Sequence, residues 1–518
     1  MRCCRYYWFD LCLACMTFAS SFGHAITATA VLILTSGIWI AIYFAAIKPS
    51  AKGDVYNVQN YYNDCNKTYP SKPKCVPPPP VECGRTCEFV ICETIPAGLT
   101  FNTSYPIFNK TTDCWMRLMS EAKKEVIIGS YYWSLLVENT GNNYTVDTTN
   151  TSSDGKLIYD TLLKTAQRGV NVKIAQTYAD GGYPETTNLA KSSDGRIKVR
   201  SLDFTQWYPG GILHTKSWAV DGKHMYIGSA NFDWRALTQV RELGLAVYNC
   251  PCVANDLTKL LEIYWEMGAP GAKIPDRWPE SLSTSAYHER PTSVPQQKGD
   301  QAVYISAAPP GFRSCGREDD LDAMLKLIDE AQVSLDMAVM NYAPSTLYIK
   351  PLNRWFGKLD EAIRRAAFDR QVKVRFLFSK WSHTAAKYFS YLHSLADISS
   401  QLPCVYENNK CVKRGSIDVR IIEVPDMEYG GIPYSRVYHN KYFVTEKAVY
   451  VGTSNWSADY WWYTAGIGVV VKSDDSSQQS FIVNQFEQIF ERDWYSDYTT
   501  PLSDFDIYGK TTNKTTTL

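Results

Sequence analysis

The sequence lacks an excess of charge of either sign, since its 518 residues include 53 lysines and arginines against 53 aspartates and glutamates. A net charge of zero excludes a uniformly basic surface, so any binding of a polyanion must depend on a local site. Long charge runs and zinc-type arrays of cysteine and histidine are also missing. Hydrophobic residues are not scarce, at 45% of the chain. That content excludes a largely disordered protein, and the length suits two domains or a duplicated one.

Formal charge is absent from a long segment near the N-terminus, between Leu11 and Ile47. Its most apolar part, Ile26–Ile47, is long enough to cross a bilayer, for which about 20 residues suffice. A cleaved signal peptide is the alternative, but such peptides usually have a shorter apolar core. We therefore predict a cytosolic tail over residues 1–25 and a transmembrane helix over 26–47.

Cysteines and glycosylation sequons crowd the chain after this segment. The cysteines are Cys65, Cys75, Cys83, Cys87, Cys92, Cys114, Cys250, Cys252, Cys315, Cys404 and Cys411, and the sequons begin at Asn66, Asn102, Asn109, Asn143, Asn150 and Asn513. Disulfides and N-glycans both form in lumenal or extracellular space, which predicts a type II protein with a lumenal body. An odd number of cysteines leaves at least one free or paired between chains, and Cys404 with Cys411 could clip a local loop.

The body repeats one order of elements, which predicts a duplicated α/β fold with a mixed sheet and flanking helices in each half. Hydrophobic spacing predicts helices over Trp115–Lys123, Leu157–Gln167, Leu257–Trp265, Leu321–Ile328, Leu359–Phe368 and Phe481–Phe490, and strands over Val126–Tyr132, Val170–Ala175, Val199–Phe204, Val333–Val339, Val372–Phe378 and Val419–Val424. We predict a proline-rich lumenal stem over 48–95, halves over 96–275 and 301–500, a linker over 276–300 and a tail over 501–518.

One constellation of polar residues occurs in both halves. The first copy is His214, Lys216 and Asp221, followed by Ser229 and Asn231; the second is His439, Lys441 and Glu446, followed by Thr453, Ser454 and Asn455. Residues two apart on a strand point to the same side, so each histidine shares a face with its lysine. An imidazole beside an ammonium suits a phosphate, which predicts phosphodiester chemistry.

This pattern resembles the signature of the phospholipase D superfamily, HxKxxxxD followed by GSxN. The strings Leu213–Gly244 and His439–Tyr460 are similar to its animal type II membrane branch, the endolysosomal 5′-exonucleases known as phospholipase D family members three and four. The resemblance implies two pseudo-symmetric phospholipase D-like domains over roughly residues 90–500. The second copy departs from the signature with Glu446 and Thr453, although it keeps a carboxylate and a hydroxyl.

The resemblance also implies catalytic roles for the motif residues. One histidine attacks phosphorus and forms a phosphohistidine, while the other protonates the leaving oxygen and then activates water. The two lysines supply positive charge, so no cofactor or metal is expected. The catalytic set implied is His214, Lys216, Asp221, His439, Lys441 and Glu446, with phosphate held by Ser229, Asn231, Ser454 and Asn455.

An acid on the strand after the first motif, Glu242, is expected to orient the catalytic imidazole, as acids at about this place do in the superfamily. The second half has Gly466 at the aligned position. A carboxylate raises the pKa of a histidine, which favours His214 as the protonated member. Family precedent often makes the first histidine the nucleophile, so the assignment stays open.

The function implied by the resemblance is 5′-to-3′ digestion of single-stranded DNA or RNA in acidic endolysosomes, reached through the endoplasmic reticulum and Golgi. Aromatic residues near the motifs offer stacking surfaces for bases, namely Trp207, Tyr208, Trp218, Trp234, Trp456 and Trp461. Two alternatives stay open: a phospholipid phosphodiesterase or transphosphatidylase, and a catalytically silent membrane glycoprotein. Related proteins are often homodimers, so a dimer is a further expectation.

Overall fold

This computed structural model describes residues 75–141, 144, 149–349, 352–427, 431–474 and 480–512. The predicted cytosolic tail and transmembrane helix, over 1–47, lie outside the described residues. Within the described part of the chain, no helix is long and apolar enough to cross a membrane. Residues from Cys75 onward form one compact unit.

The first half contains an eight-stranded sheet with helices on its faces, in the order β2-β1-β10-β8-β7-β3-β5-β6. Strands β3, β5 and β6 run parallel, whereas β7, β8, β10 and β1 pair antiparallel. The elements are β1 Glu88–Thr94, β2 Asn109–Lys110, α1 Thr111–Glu121, β3 Glu125–Ser130, β4 Trp133–Ser134, α2 Thr149–Gln167, β5 Asn171–Thr177, α3 Pro184–Ser192, β6 Ile197–Leu202, β7 Ser217–Val220, β8 His224–Gly228, β9 Phe232–Asp233, α4 Trp234–Thr238, β10 Glu242–Tyr248 and α5 Pro251–Met267.

The second half repeats this arrangement in a ten-stranded sheet, in the order β11-β12-β21-β20-β19-β14-β15-β18-β22 with β13 beside β12. The run β12-β21-β20-β19-β14-β15-β18 corresponds strand for strand to β1-β10-β8-β7-β3-β5-β6. The elements are β11 Thr292–Val294, β12 Gln301–Ala308, β13 Glu318–Asp319, α6 Asp320–Glu330, β14 Ser334–Val339, α7 Lys358–Asp369, β15 Lys373–Ser379, α8 Lys387–Ala396, β16 Cys404–Glu407, β17 Lys410–Arg414, β18 Ser416–Ile422, β19 Lys441–Thr445, β20 Ala448–Gly452, α9 Ala458–Trp462, β21 Gly466–Ser473, α10 Phe481–Trp494 and β22 Thr499–Pro501.

The two halves share one hydrophobic core. A single buried cluster includes Leu257 and Leu261 of α5, Phe486 and Ile489 of α10, and Ile227 of β8. Each half also has a cluster of its own on the opposite side of its sheet. The two sheets therefore bury their facing helices together, and the halves form one body.

Two helices begin where a side chain accepts hydrogen bonds from the first backbone N–H groups, which have no partner within the helix. Asp319 caps α6 by accepting hydrogen bonds from the backbone N–H groups of Leu321 and Asp322, and Ser480 caps α10 in the same way. These caps begin both helices near the first residue that the apolar spacing indicated. All six predicted helices are present, and their ends differ from the prediction by at most eight residues.

The predicted stem and linker are partly wrong, because both contain strands of the sheets. Glu88–Thr94 pairs along its full length with Glu242–Tyr248, so this part of the expected stem belongs to the first half. Thr292–Val294, within the expected linker, pairs with β12. The expected tail likewise contributes buried Leu502 and Phe505. The apolar alternation in these stretches is too short to be recognised without its pairing partner.

Ten of the eleven cysteines after the predicted span pair in five disulfides, and Cys65 lies outside the described residues. The pairs are Cys75–Cys315, Cys83–Cys252, Cys87–Cys250, Cys92–Cys114 and Cys404–Cys411, the last of which confirms the predicted local clip. The sulfurs of Cys83, Cys87, Cys250 and Cys252 lie within 4.8 Å of one another, a spacing that could suit a metal. Because they are bonded in pairs, these sulfurs are not thiolate ligands here.

Candidate active site

The two motif histidines are each anchored on the opposite half. The backbone N–H of His214 donates to the carbonyl of Ala465, just before β21, at 2.8 Å. The backbone N–H of His439 donates to the carbonyl of Arg241, just before β10, also at 2.8 Å. These reciprocal bonds bring the two motifs together between the sheets, which no local pattern in the sequence could specify.

His214 lies in a closed environment made by both halves. Its Nδ1–H donates to the carbonyl oxygen of Thr453 at 3.0 Å, which leaves Nε2 as the unprotonated nitrogen of the neutral ring. The rings of Tyr131 and Tyr460 each lie 5.1 Å from the imidazole, between ring centroids. Burial, followed by the charge of Lys216, lowers the pKa of His214 well below its usual range.

Glu242 contacts His439, so its expected partnership with His214 is wrong. Nδ1 of His439 lies 2.9 Å from both carboxylate oxygens of Glu242, which is itself buried. Burial lowers the pKa of His439, but the charge of Glu242 opposes that effect. The acid therefore favours the protonated form of the second histidine, across the boundary between halves.

The two motif lysines are buried beside their histidines. Nζ of Lys216 donates to the backbone carbonyl of His214 at 2.5 Å, and Nζ of Lys441 donates to that of His439 at 2.6 Å. Burial lowers the pKa of Lys441 to about 7. Burial and then the charge of Lys441 lower the pKa of Lys216 well below its usual range. Burial and the mutual repulsion of the two lysines disfavour their charged forms. A bound anion would stabilise both ammonium groups, so the site favours an anionic ligand.

Asp221 and Glu446 do not join the histidines, which corrects their expected catalytic role. Asp221 accepts the backbone N–H groups of residues 123–125 at 2.7 to 2.8 Å. Glu446 accepts the N–H groups of residues 332–334 at 2.8 to 3.3 Å. A strand advances about 3.3 Å per residue, so an acid five residues beyond the lysine lies at the opposite end of the strand. Asp221 therefore connects the end of β7 to the start of β3, and Glu446 connects the end of β19 to the start of β14.

The small polar residues after each motif divide into two groups. The hydroxyl of Ser229 exchanges hydrogen bonds with the backbone of Leu243 at 3.0 and 3.2 Å, so it fastens β10 and is not available to a phosphate as expected. By contrast, Asn231 Oδ1, Ser454 Oγ and Asn455 Oδ1 are buried without a hydrogen-bond partner among the described residues. Buried polar atoms are normally satisfied, so these three fit a site that binds a polar ligand.

Comparisons with known proteins agree with this geometry. A family model described as PLD3/4, PLD-like domain matches residues 104–413. The chain belongs to this family. It is 38% identical over 420 residues to the Xenopus laevis protein named 5′-3′ exonuclease PLD3, covering 81% of this chain and 82% of that one. It is 36% identical over 416 residues to the Mus musculus protein named 5′-3′ exonuclease PLD4, covering 80% and 79%.

Solved structures resemble the chain more distantly. A phosphatidylserine synthase from Haemophilus influenzae matches with a TM-score of 0.48 and 11% identity, over 75% of this chain and 85% of that one.

Four of the six aromatic residues expected to stack bases are buried instead. Trp218, Trp234, Trp456 and Trp461 lie in the cores of the two halves, where helices and strands cover their rings. The fifth, Trp207, is packed against Phe204 and Phe312 and donates its indole N–H to the carbonyl of Ala272, and Tyr208 contacts Phe312 as well. Tyr131 and Tyr460, whose rings do lie against the ring of His214, carry no motif that would identify them from the sequence.

Two of the six predicted glycosylation sites lie on the surface of the described part of the chain. Asn102 and Asn109 are exposed, as a glycan acceptor requires. Asn66, Asn143 and Asn513 fall outside the described residues, as does the side chain of Asn150.

Proposed function

We propose that the protein is a lumenal phosphodiesterase that removes nucleotides from the 5′ end of single-stranded DNA or RNA through a phosphohistidine. The observation that carries the proposal is the interlocked pair of buried histidines, each with a lysine and each anchored on the other half. The names of the relatives, which call them 5′-3′ exonucleases, support a nucleic-acid substrate and this polarity. Ser454, Asn231 and Asn455 are the proposed phosphate contacts. The buried hydroxyl of Ser454 has no partner among the described residues and can donate to a phosphate oxygen, whereas the two asparagines would donate through their amide NH2 groups.

His214 is the proposed nucleophile and His439 the proposed acid. Attack on phosphorus needs an unprotonated nitrogen, and His214 has the lower tendency to bind a proton because no carboxylate opposes its burial. Protonation of the leaving oxygen needs a charged imidazole, and Glu242 stabilises that form of His439. The positions of the two partners support this assignment, which the sequence left open.

Each turnover exchanges one phosphorus–oxygen bond for another. Nε2 of His214 forms a bond to phosphorus while the bond to the 5′ oxygen of the next nucleotide breaks, and His439 gives that oxygen a proton. His439 then removes a proton from water, which attacks phosphorus and frees His214. The remaining strand again has a 5′ hydroxyl, so the same end can be bound in the next turnover, whereas a terminal 5′ phosphate is expected to slow binding.

Acidic conditions suit this arrangement. Lys441, whose pKa is about 7, gains a proton and a positive charge as the pH falls below that value, and it loses both as the pH rises. The charge is needed to stabilise the transferring phosphoryl group. We propose that the enzyme acts in endolysosomes, where the pH is acidic. As the sequence and the family resemblance imply, we also propose that residues 26–47 anchor it as a type II protein, that its sequons are glycosylated and that it forms a homodimer.

The test is turnover of matched substrates by the purified body with a chelator present. We expect digestion of a single-stranded oligonucleotide with a 5′ hydroxyl at pH 5, with less at pH 7.5 and less when the 5′ end carries phosphate. His214→Ala and His439→Ala should each lose about 100-fold or more of kcat. A block on the 3′ end should have no effect.

Glycerophospholipid is the control substrate in the same assay. Turnover of lipid without turnover of oligonucleotide would replace the nuclease by a lipid phosphodiesterase. Loss of activity on chelation would reject the scheme without a metal, and inactivity on both substrates would leave a silent glycoprotein.

A further inference from the structure

Three aromatic side chains form a surface cluster beside the second motif, which we call the ring platform: Trp381, His383 and Tyr434. The rings of His383 and Tyr434 are stacked, with centroids 5.0 Å apart and planes within 6° of parallel. Trp381 meets His383 edge-on at 4.6 Å. His383 is exposed and Tyr434 keeps 59% of its surface open, unlike the tryptophans near the motifs. An accessible stack of this kind has flat faces that are not used by the core.

The ring platform lies at the same sheet edge as the second catalytic motif. In the register of the sheet, Val339 pairs with Lys441 on one side and with Phe378 on the other. His439 precedes Lys441, and Trp381 follows Phe378, so both project beyond this edge. Two strand spacings of about 4.8 Å separate their strands, which is about 10 Å. A nucleic-acid strand held at His439 can therefore reach the platform with a neighbouring nucleotide.

Backbone contacts hold both turns of the platform in place. Trp381 and Thr384 exchange two hydrogen bonds, Trp381 N–H to Thr384 Oγ1 at 2.9 Å and Thr384 N–H to the Trp381 carbonyl at 3.0 Å. On the other turn, Arg235 of the first half donates to the carbonyl of Pro433 at 2.9 Å. Ser435 closes the turn by donating to the carbonyl of Ile432 at 2.7 Å.

Tyr434 itself adopts a backbone conformation that bulky residues rarely take. Its φ is +57°, in the left-handed region that costs free energy for residues with large side chains. The contacts to Arg235 and within the turn keep it there. A ring fixed in advance loses little conformational freedom when a second ring stacks on it, which favours binding.

We propose that the ring platform is a stacking subsite for a nucleobase of the strand that follows the nucleotide being removed. The inference rests on the proposed function and adds where the downstream strand binds. Aromatic faces accept every base, so the subsite supports digestion without sequence preference. An acyl chain would gain contact area but no advantage from parallel rings, so the geometry favours a base over a lipid.

The test compares strands with and without the stacking base. The substrates are an oligothymidylate and the same strand with an abasic residue at its second, third or fourth position, and the assay follows release of the first nucleotide. In the wild type, we expect an abasic residue at one of these positions to raise KM about 10-fold. Tyr434→Asn, which tolerates a left-handed backbone, should raise KM for the intact strand by about the same factor and remove the difference between the two strands.

Two further variants separate stacking from structure. Tyr434→Phe keeps the ring and should preserve the difference between strands. Tyr406→Ser changes another exposed tyrosine, 64% open on the hairpin of β16 and β17, and should leave KM unchanged for both strands.

Equal KM values for intact and abasic strands in the wild type would overturn the platform while leaving the nuclease intact. An equal loss of kcat by Tyr434→Asn on both strands would assign the tyrosine a structural role and overturn it as well. If the wild type digests neither strand, the proposed function fails first.

Discussion

At the scale of single residues, the two catalytic histidines differ because one side chain exists in the first half and has no counterpart in the second. Glu242 reaches His439 across the boundary between halves. The aligned position near His214 is Gly466, where an added Cβ would lie 2.0 Å from Ser454 Oγ. A side chain at this position would have to displace the hydroxyl of Ser454, and a backbone carbonyl, that of Thr453, takes the place of the acid beside His214. The asymmetry of the chemistry is thus a consequence of packing.

Replacing Glu242 by glutamine tests this asymmetry. The change removes the negative charge that opposes burial at His439, so the pKa of His439 falls further. The basic limb of the pH profile of kcat should move down by about one pH unit, so kcat at pH 7 should fall by about 10-fold. Kinetics over a pH series, on the oligonucleotide substrate, provide the measurement.

Glu446→Gln is the matched control for that series, because its carboxylate belongs to a motif but binds only backbone N–H groups. Its basic limb should coincide with that of the wild type. Should Glu242→Gln leave the limb in place, the assignment of His439 as the acid would be wrong.

At the scale of elements, Asp221 and Glu446 stabilise the contact between the turn that follows the motif strand and the start of the neighbouring strand. Asp221 accepts three backbone N–H groups at the start of β3, with φ of +53°. Asp221→Asn removes the charge and should lower the free energy of unfolding by about 2 kcal/mol, since hydrogen bonds to charged groups are worth about 1.5–3 kcal/mol. Urea unfolding measures that loss, and kcat of the folded protein should change little.

Asp194→Asn controls for the backbone, because Asp194 is exposed and has a similar φ of +50°. Its change in unfolding free energy should stay within about 0.5 kcal/mol. An Asp221 variant of normal stability whose kcat is about 100-fold lower would restore the catalytic role.

Helices and strands could be predicted from the sequence where the spacing of apolar residues within one short segment indicates them. Leu321, Met324, Leu325 and Ile328 repeat at helical spacing, and the helix Asp320–Glu330 covers them all. The strand Glu88–Thr94 was missed because its pairing partner, Glu242–Tyr248, lies 148 to 160 residues further along the chain. The site divides in the same way: the HxK pairs follow from spacing, whereas the partnership of Glu242 with His439 depends on how the two halves meet.

At the scale of the whole molecule, a buried ionic cluster joins the halves behind the second histidine. Arg241 lies 2.9 Å from Glu93 and 3.2 Å from Asp493, and Arg492 lies 2.6 Å from Glu93. The hydroxyl of Tyr438 donates to Asp493 at 3.0 Å. Arg241 precedes Glu242 and Tyr438 precedes His439, so the cluster fixes the backbone on both sides of the acid–histidine pair. The catalytic arrangement exists only when the halves are packed.

A cut in the loop between β11 and β12 tests whether packing alone maintains that arrangement. Residues 297–300 are exposed, and a protease site inserted between Lys298 and Gly299 would separate the chain ahead of β12. We expect the cut protein to keep its activity, because the shared core and the reciprocal backbone bonds of His214 and His439 do not depend on this loop.

The same cut also tests the disulfide that spans it, Cys75–Cys315. Under denaturing electrophoresis the fragments should migrate as one species without reductant and as two with it. The Cys315→Ser variant, cut in the same way, should give two species in both conditions. Fragments of the parent that separate without reductant would contradict this pairing. The disulfide could keep the two fragments joined although the cut protein has lost its activity. That result would mean that the intact loop, and not packing alone, is needed to hold His214 and His439 in position.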